Sequence, residues 1–326
     1  MKRHAQCNEQ LEQARQEHRC AIAPSPEIGR AFRRRVQLGE MLSPYRGIFV
    51  EPEYWNSLNA TQQALHTARA LAMIRPNLVF AGPTAAAILR YEHQRTIHGR
   101  HVYIASTKHS DPDPPTGRLA RIYMPSIPSI HVGHMWLTAP RRTLVDCAKM
   151  LPLHKALPIY DSAIAQDETL PDQVRETARS LRPRSASVEM ALRHTDTASD
   201  NGGESFVRGV MIECGFVPPI CQYVIHDPTN PNAWYRADFI WFAPDGRVIV
   251  VEFDGMAKYT DPSMTGGHSV RYIVNEQSIR EKNLLSWGVT NIVRVYFEDA
   301  ANREPLIAKL RAAGVPEYPA TMVPTL

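Results

Sequence analysis

Asp238, Glu252 and Asp254 interrupt two apolar runs, Trp234–Phe242 and Arg247–Phe253, in the stretch AWYRADFIWFAPDGRVIVVEFDG. Trp, Tyr, Phe, Ile and Val dominate both runs, and Ala243-Pro244-Asp245-Gly246 between them is turn chemistry, so the stretch predicts a hairpin. Centred near Asp245, that hairpin sets Asp238 almost opposite Glu252, and alternation sends Glu252 and Asp254 to one face. Both strands are apolar on both faces, the pattern of strands in a covered sheet. Three carboxylates are therefore expected together in an apolar setting, where an uncompensated charge is costly. A divalent cation would compensate them. A neutralising ion network is the alternative, with Arg236 on the face of Asp238 and Lys258 nearby.

A fourth acid comes from the helix expected over Glu204–Cys214. Its apolar residues are Phe206, Val207, Val210 and Met211. Glu204 precedes Val207 and Met211 by three and seven positions, which puts it on the inward side, with Arg208 at i+4 as an intrahelical partner. A second cluster is basic. Glu27–Leu38 reads as a helix carrying Arg30, Arg33, Arg34 and Arg35, stopped by Gly39. Met41-Leu42 and Tyr45–Val50 would follow as short strands around Ser43-Pro44, with Arg46 on the wing. A basic helix before a hairpin is the end of a winged helix, whose arginines would meet the DNA backbone; a solvated arginine face is the plainer reading. His131 and His134 lie three apart on an expected strand, Ile130–Leu137, and so on opposite faces, which argues against a shared metal.

The chain that must position these residues has 326 of them, a net charge of +4 and five irregularly spaced cysteines. Mild basicity is compatible with nucleic acid. The cysteines form neither a disulfide framework nor a CxxC pattern, and no stretch is apolar enough to span a membrane. A cytoplasmic protein without a membrane partner is expected. The fold class expected is multi-domain α+β or α/β. Residues 1–24 read as a polar arm, 25–55 as a partial winged helix and 56–195 as an α+β module. Residues 196–314 read as a mixed sheet flanked by helices, and 315–326 as a Pro-rich tail. The polar, Gly-rich DTASDNGG marks the last main boundary.

The order helix with Glu, strand, strand with Asp, strand with Glu-x-Asp, helix, strand resembles the PD-(D/E)XK nuclease core, most closely its very-short-patch-repair branch. Glu204 in GGESFVR, Asp238 in RADFIW and Glu252, Asp254 and Gly255 in VVEFDG carry the resemblance, with Lys258 and Tyr259 in AKY and Glu281 and Lys282 in REKNLL. It implies a restriction-endonuclease-like sheet, with the metal on Asp238 and Glu252 and with Glu204 in support. Asp254 stands where that family carries its lysine; Lys258, four residues on, is the candidate replacement. Farther forward, SPYRGIFV, FAGPTAAAIL and LTAPRRTLVDCAKM resemble the AbiEi family of type IV antitoxins and related transcriptional regulators, a module commonly fused to such a nuclease-like domain. Two readings follow. One is a DNA-binding regulator or antitoxin, with a cognate toxin as partner and the nuclease-like domain as a platform. The other is a metal-dependent endonuclease using Glu204, Asp238, Glu252 and Lys258, with Mg²⁺ or Mn²⁺ as cofactor if that site is active. The oligomeric state is open.

Overall fold

The computed structural model describes residues 2–108, 118–181, 185–230, 232–254 and 279–319. The chain is a mixed α+β protein of two compact units, one formed by residues 1–150 and 167–188, the other by 151–166 and 189–326.

The first unit opens with α1 (Lys2–Gln16), β1 (Ala21–Ile22), α2 (Pro26–Gln37), β2 (Leu42–Tyr45) and β3 (Ile48–Val50). The segment expected to be a polar arm is thus a packed helix and a strand. Cys7, Leu11 and Ala14, spaced four and three apart, form its apolar seam and pack with Ile28 and Phe32 of α2 and Phe49 of β3. Strands β1 to β3 make an antiparallel sheet in the order β1-β3-β2. Helices α3 (Pro52–Ser57) and α4 (Ala60–Ile74) follow, then β4 (Val79–Phe80), α5 (Gly82–Ile88), β5 (Val102–Ser106), β6 (Leu119–Tyr123), β7 (Ser129–Val132), β8 (Met135–Thr138) and α6 (Pro140–Met150). Asn59 rather than Thr61 caps α4, closing a capping box with Gln62. The run Ile130–Leu137 is a hairpin rather than one strand: β7 pairs antiparallel with β8, and Gly133 turns at φ 59°. His131 stays on β7 while His134 lies in that turn. These strands form a mixed sheet ordered β6-β5-β4-β8-β7.

Helix α7 (Leu153–Gln166) belongs to the second unit, α8 (Leu170–Ser180) to the first, and α9 (Ala186–His194) spans the last boundary. The sequence suggests a helix only from Ile159. Instead α7 runs through Pro158, whose missing N–H costs one intrahelical bond. The second unit continues with α10 (Gly202–Glu213), β9 (Ile220–His226), β10 (Trp234–Phe242) and β11 (Val248–Asp254). A helix described over 279–286 (α11) follows, then β12 (Asn291–Tyr296), α12 (Phe297–Asn302) and α13 (Glu304–Ala313). The sheet order is β12-β11-β10-β9, antiparallel except for β11 with β12. One face packs Phe239, Trp241, Ile249 and Val251 against Phe206, Val210 and Met211 of α10 and Leu306 and Leu310 of α13. The opposite face packs Ala237, Ile240 and Val250 against Leu284 of α11. Residues just beyond α13 also join this unit: Val315 is buried, and Phe216 bridges to Glu317. No helix among the described residues is long and apolar enough to cross a membrane.

Candidate functional site

The hairpin register runs from Phe242 opposite Val248 to Phe239 opposite Val251, and Asp238 and Glu252 lie just beyond its last pair. On its other side β10 pairs Ala237 with Tyr223 and Phe239 with Cys221 of β9. Between those pairs Asp238 meets Gln222, and there the ladder breaks because Gln222 takes φ 53°. A left-handed conformation at a non-glycine residue costs about 1–3 kcal/mol and persists only where its surroundings enforce it. The break inverts the alternation of both strands. Cys221 and Phe239 face α10, whereas Ile225, Tyr235 and Ala237 lie on the α11 side.

That inversion sorts the acids. On α10, Asn201 caps the helix through the Gly203 and Glu204 amides, and Glu204 is buried at 5% exposure. Its Oε1 accepts from Asn201 Nδ2 at 2.7 Å, and its Oε2 accepts from the Asp200 amide at 2.9 Å and from Gln222 Nε2 at 2.8 Å. The same Nε2 reaches Asp238 Oδ1 at 3.4 Å, and Asp238 Oδ2 accepts from the Phe253 amide at 2.8 Å. Burial pushes the Glu204 carboxyl above its usual range, and the charges of Asp238 and Asp200 push it the same way, against its donors. Gln222 thus lies between two carboxylates with its nitrogen inward. Its Oε1 is buried without a hydrogen-bond partner among the described residues. Such an orphan costs about 1–3 kcal/mol. Turning the oxygen inward would instead face it to two carboxylates.

Glu252 lies on the α11 side, by alternation from Val250. The Tyr235 hydroxyl donates to its Oε2, and Arg280 Nη2 lies 3.2 Å from the same oxygen. The Arg280 guanidinium stacks 3.7 Å from the Tyr235 ring centroid, and its pKa is brought down to about 10, first by burial and then by Arg294. Arg294 pairs with Glu281 at 2.7 Å. Arg236 pairs with Asp200, half-exposed, rather than joining a buried network. Asp254 is buried at the end of β11. Lys258 lies outside the described residues.

Of the expected acids, Glu204 and Asp238 come together, while Glu252 takes its own partners. Protein donors meet both oxygens of Glu204, Oδ2 of Asp238 and Oε2 of Glu252. Among the described residues no group of three or more His, Cys, Asp or Glu could hold a metal ion. The described arrangement therefore does not fit the Mg²⁺ or Mn²⁺ centre that the resemblance implies. Gln222, Tyr235 and Arg280 were not anticipated from the sequence. An uncharged glutamine within PICQYVIH gives no hint of its backbone conformation.

The basic cluster is in the first unit. Ser25 caps α2, accepting from the Ile28 amide at 3.3 Å, and Pro26 starts it. Ile28, Gly29 and Phe32 are buried, with the Phe32 ring 5.0 Å from that of Phe49. The 3.6-residue period therefore turns Arg30, Arg33 and Arg34 outward, and all three are exposed. Among the described residues none of the three makes an ion pair. Arg35 is different: it pairs with Glu40 at 3.2 Å and approaches Asn8 Oδ1 at 3.5 Å. Arg46 is exposed in the β2–β3 turn beside Gly47, whose φ is 81°. A groove of about 400 Å³ along α2 is lined by Arg30, Arg34, Arg35 and Leu38 together with Glu27 and Glu40. Residues 1–50 hold nine Lys and Arg against five Glu and no Asp, which equals the +4 of the whole chain.

Comparison of the chain with protein-family models, with characterised proteins and with solved structures gave no match.

Proposed function

We propose that the chain is a DNA-binding regulator of the antitoxin-like kind, contacting the duplex backbone through α2 and the β2–β3 turn. The observation that carries this reading is the outward row Arg30, Arg33 and Arg34. These cations are exposed, lack an ion-pair partner among the described residues, and sit in the segment holding the chain's whole net charge. Helix, strand, helix and hairpin, with the hairpin's second strand paired to the first strand, is consistent with a winged-helix-like unit. In this reading α2 lies along the groove and Arg46 reaches a flanking phosphate. Phosphate contacts of this kind position a protein and release counterions, so affinity must fall as salt rises. Fluorescence anisotropy of the full chain on a labelled duplex, at low and at moderate salt, tests the proposal. Binding that weakens steeply with salt supports it. Absence of binding at low salt, or affinity indifferent to salt, overturns it.

A further inference from the structure

We infer that Gln222, rather than a metal ion, joins Glu204 to Asp238, making this cluster a cation-free latch between α10 and the kinked strands β9 and β10. Two carboxylates that converge inside a protein need positive charge or hydrogen-bond donors between them. Here the Gln222 carboxamide nitrogen supplies both bonds, at 2.8 Å to Glu204 and 3.4 Å to Asp238. The remaining Glu204 bonds come from Asn201 and the Asp200 amide, so that carboxylate is met by three protein donors. Reaching this position requires the left-handed backbone at Gln222. The two bonds of its amide hold the residue in that strained conformation. The latch also accounts for the inversion of side-chain alternation, which places Tyr235 rather than Arg236 beside Glu252. The inference concerns the second unit and does not rest on DNA binding by the first.

Thermal melts of the full chain with and without millimolar Mn²⁺, in wild type and in Gln222→Glu, test it. The wild-type midpoint should not move with Mn²⁺. The Gln222→Glu variant gathers three carboxylates; it should melt lower without cation and recover with it. A wild-type midpoint that rises with Mn²⁺, with the rise lost in Asp238→Asn, would overturn the inference. Because Gln222→Glu could fail to fold, a second measurement uses Gln222→Ala, Asp238→Asn and the double variant. Strongly non-additive midpoint losses support the latch, whereas additive losses reject it. Supercoiled plasmid incubated with wild type and Mn²⁺ should stay intact; nicking that disappears in Asp238→Asn would also reject it.

Discussion

Replacing Arg30, Arg33 and Arg34 together by Ala is the sharpest test of the α2 surface. Each is exposed, and none has an ion-pair partner among the described residues, so removing them breaks no such contact and should leave stability within about 0.5 kcal/mol. If each meets one phosphate, the three contribute about 2.7 to the slope of log affinity against log salt, at roughly 0.9 per contact. Between about 50 and 200 mM salt, wild-type affinity should then fall about 40-fold more than that of the variant. Arg35→Ala is the internal control. That guanidinium is held by Glu40 at 3.2 Å, so its removal should change the slope by much less than one contact's worth. Anisotropy titrations at four salt concentrations, with circular dichroism to confirm folding, give the answer. A triple variant with the wild-type slope would refute the reasoning, as would an Arg35→Ala slope as flat as that of the triple.

Three further outcomes concern the fold. Gly209→Ala places a Cβ 2.5 Å from the His154 Cα, so α10 and α7 must separate; this should cost about 1–3 kcal/mol and lower the second unit's melting midpoint by several degrees. Burial lowers the pKa of His66 to about 4 and of His98 to about 3, so the unfolded chain takes up these protons near pH 6.5 while the folded one does not. Stability of the first unit is then full above that pH and drops on acidification, by about 2 kcal/mol per histidine at pH 5; urea midpoints that stay level from pH 7 to 5 would contradict this. Burial pushes the Glu213 carboxyl upward, yet hydrogen bonds from His154 and Arg303 hold it below the usual range, so its contribution is present above about pH 4.5 and is lost below its folded pKa. Glu213→Ala strands His154 and should cost about 3 kcal/mol at neutral pH, measured by urea unfolding of the second unit.

The β10–β11 hairpin was legible because its turn, its apolar flanks and its two-residue period agree, and the structure gives β10 the predicted limits, Trp234–Phe242. Glu204 was legible as an inward acid because helical spacing ties it to Val207 and Met211. Helix α1 was obscured by a seam of only Cys7, Leu11 and Ala14 within a polar sequence. The division of the acids was not legible, because it depends on one backbone angle at Gln222 that no residue type encodes. Alternation assumes an unbroken pleat, and a single left-handed residue moves every later side chain to the other face. The partner of Arg35 was hidden for a related reason: Glu40 lies beyond the end of α2, and Gly39, at φ 75°, turns the chain before it.

Helix α7 is made before α8 but packs with α10. During synthesis its apolar side must therefore wait while α8 and all of α9 emerge, until α10 follows to cover it. A fragment beginning at the Gly-rich DTASDNGG segment would have the whole four-stranded sheet, yet the face of α10 around Gly209 would be bare. Such a fragment should aggregate or bind chaperones, whereas one that also carries Leu151–Gln166 on a flexible tether should fold. The molecule is thus inherited and engineered as an interleaved chain, and a single crossover between its two units would leave each progeny protein with an incomplete core.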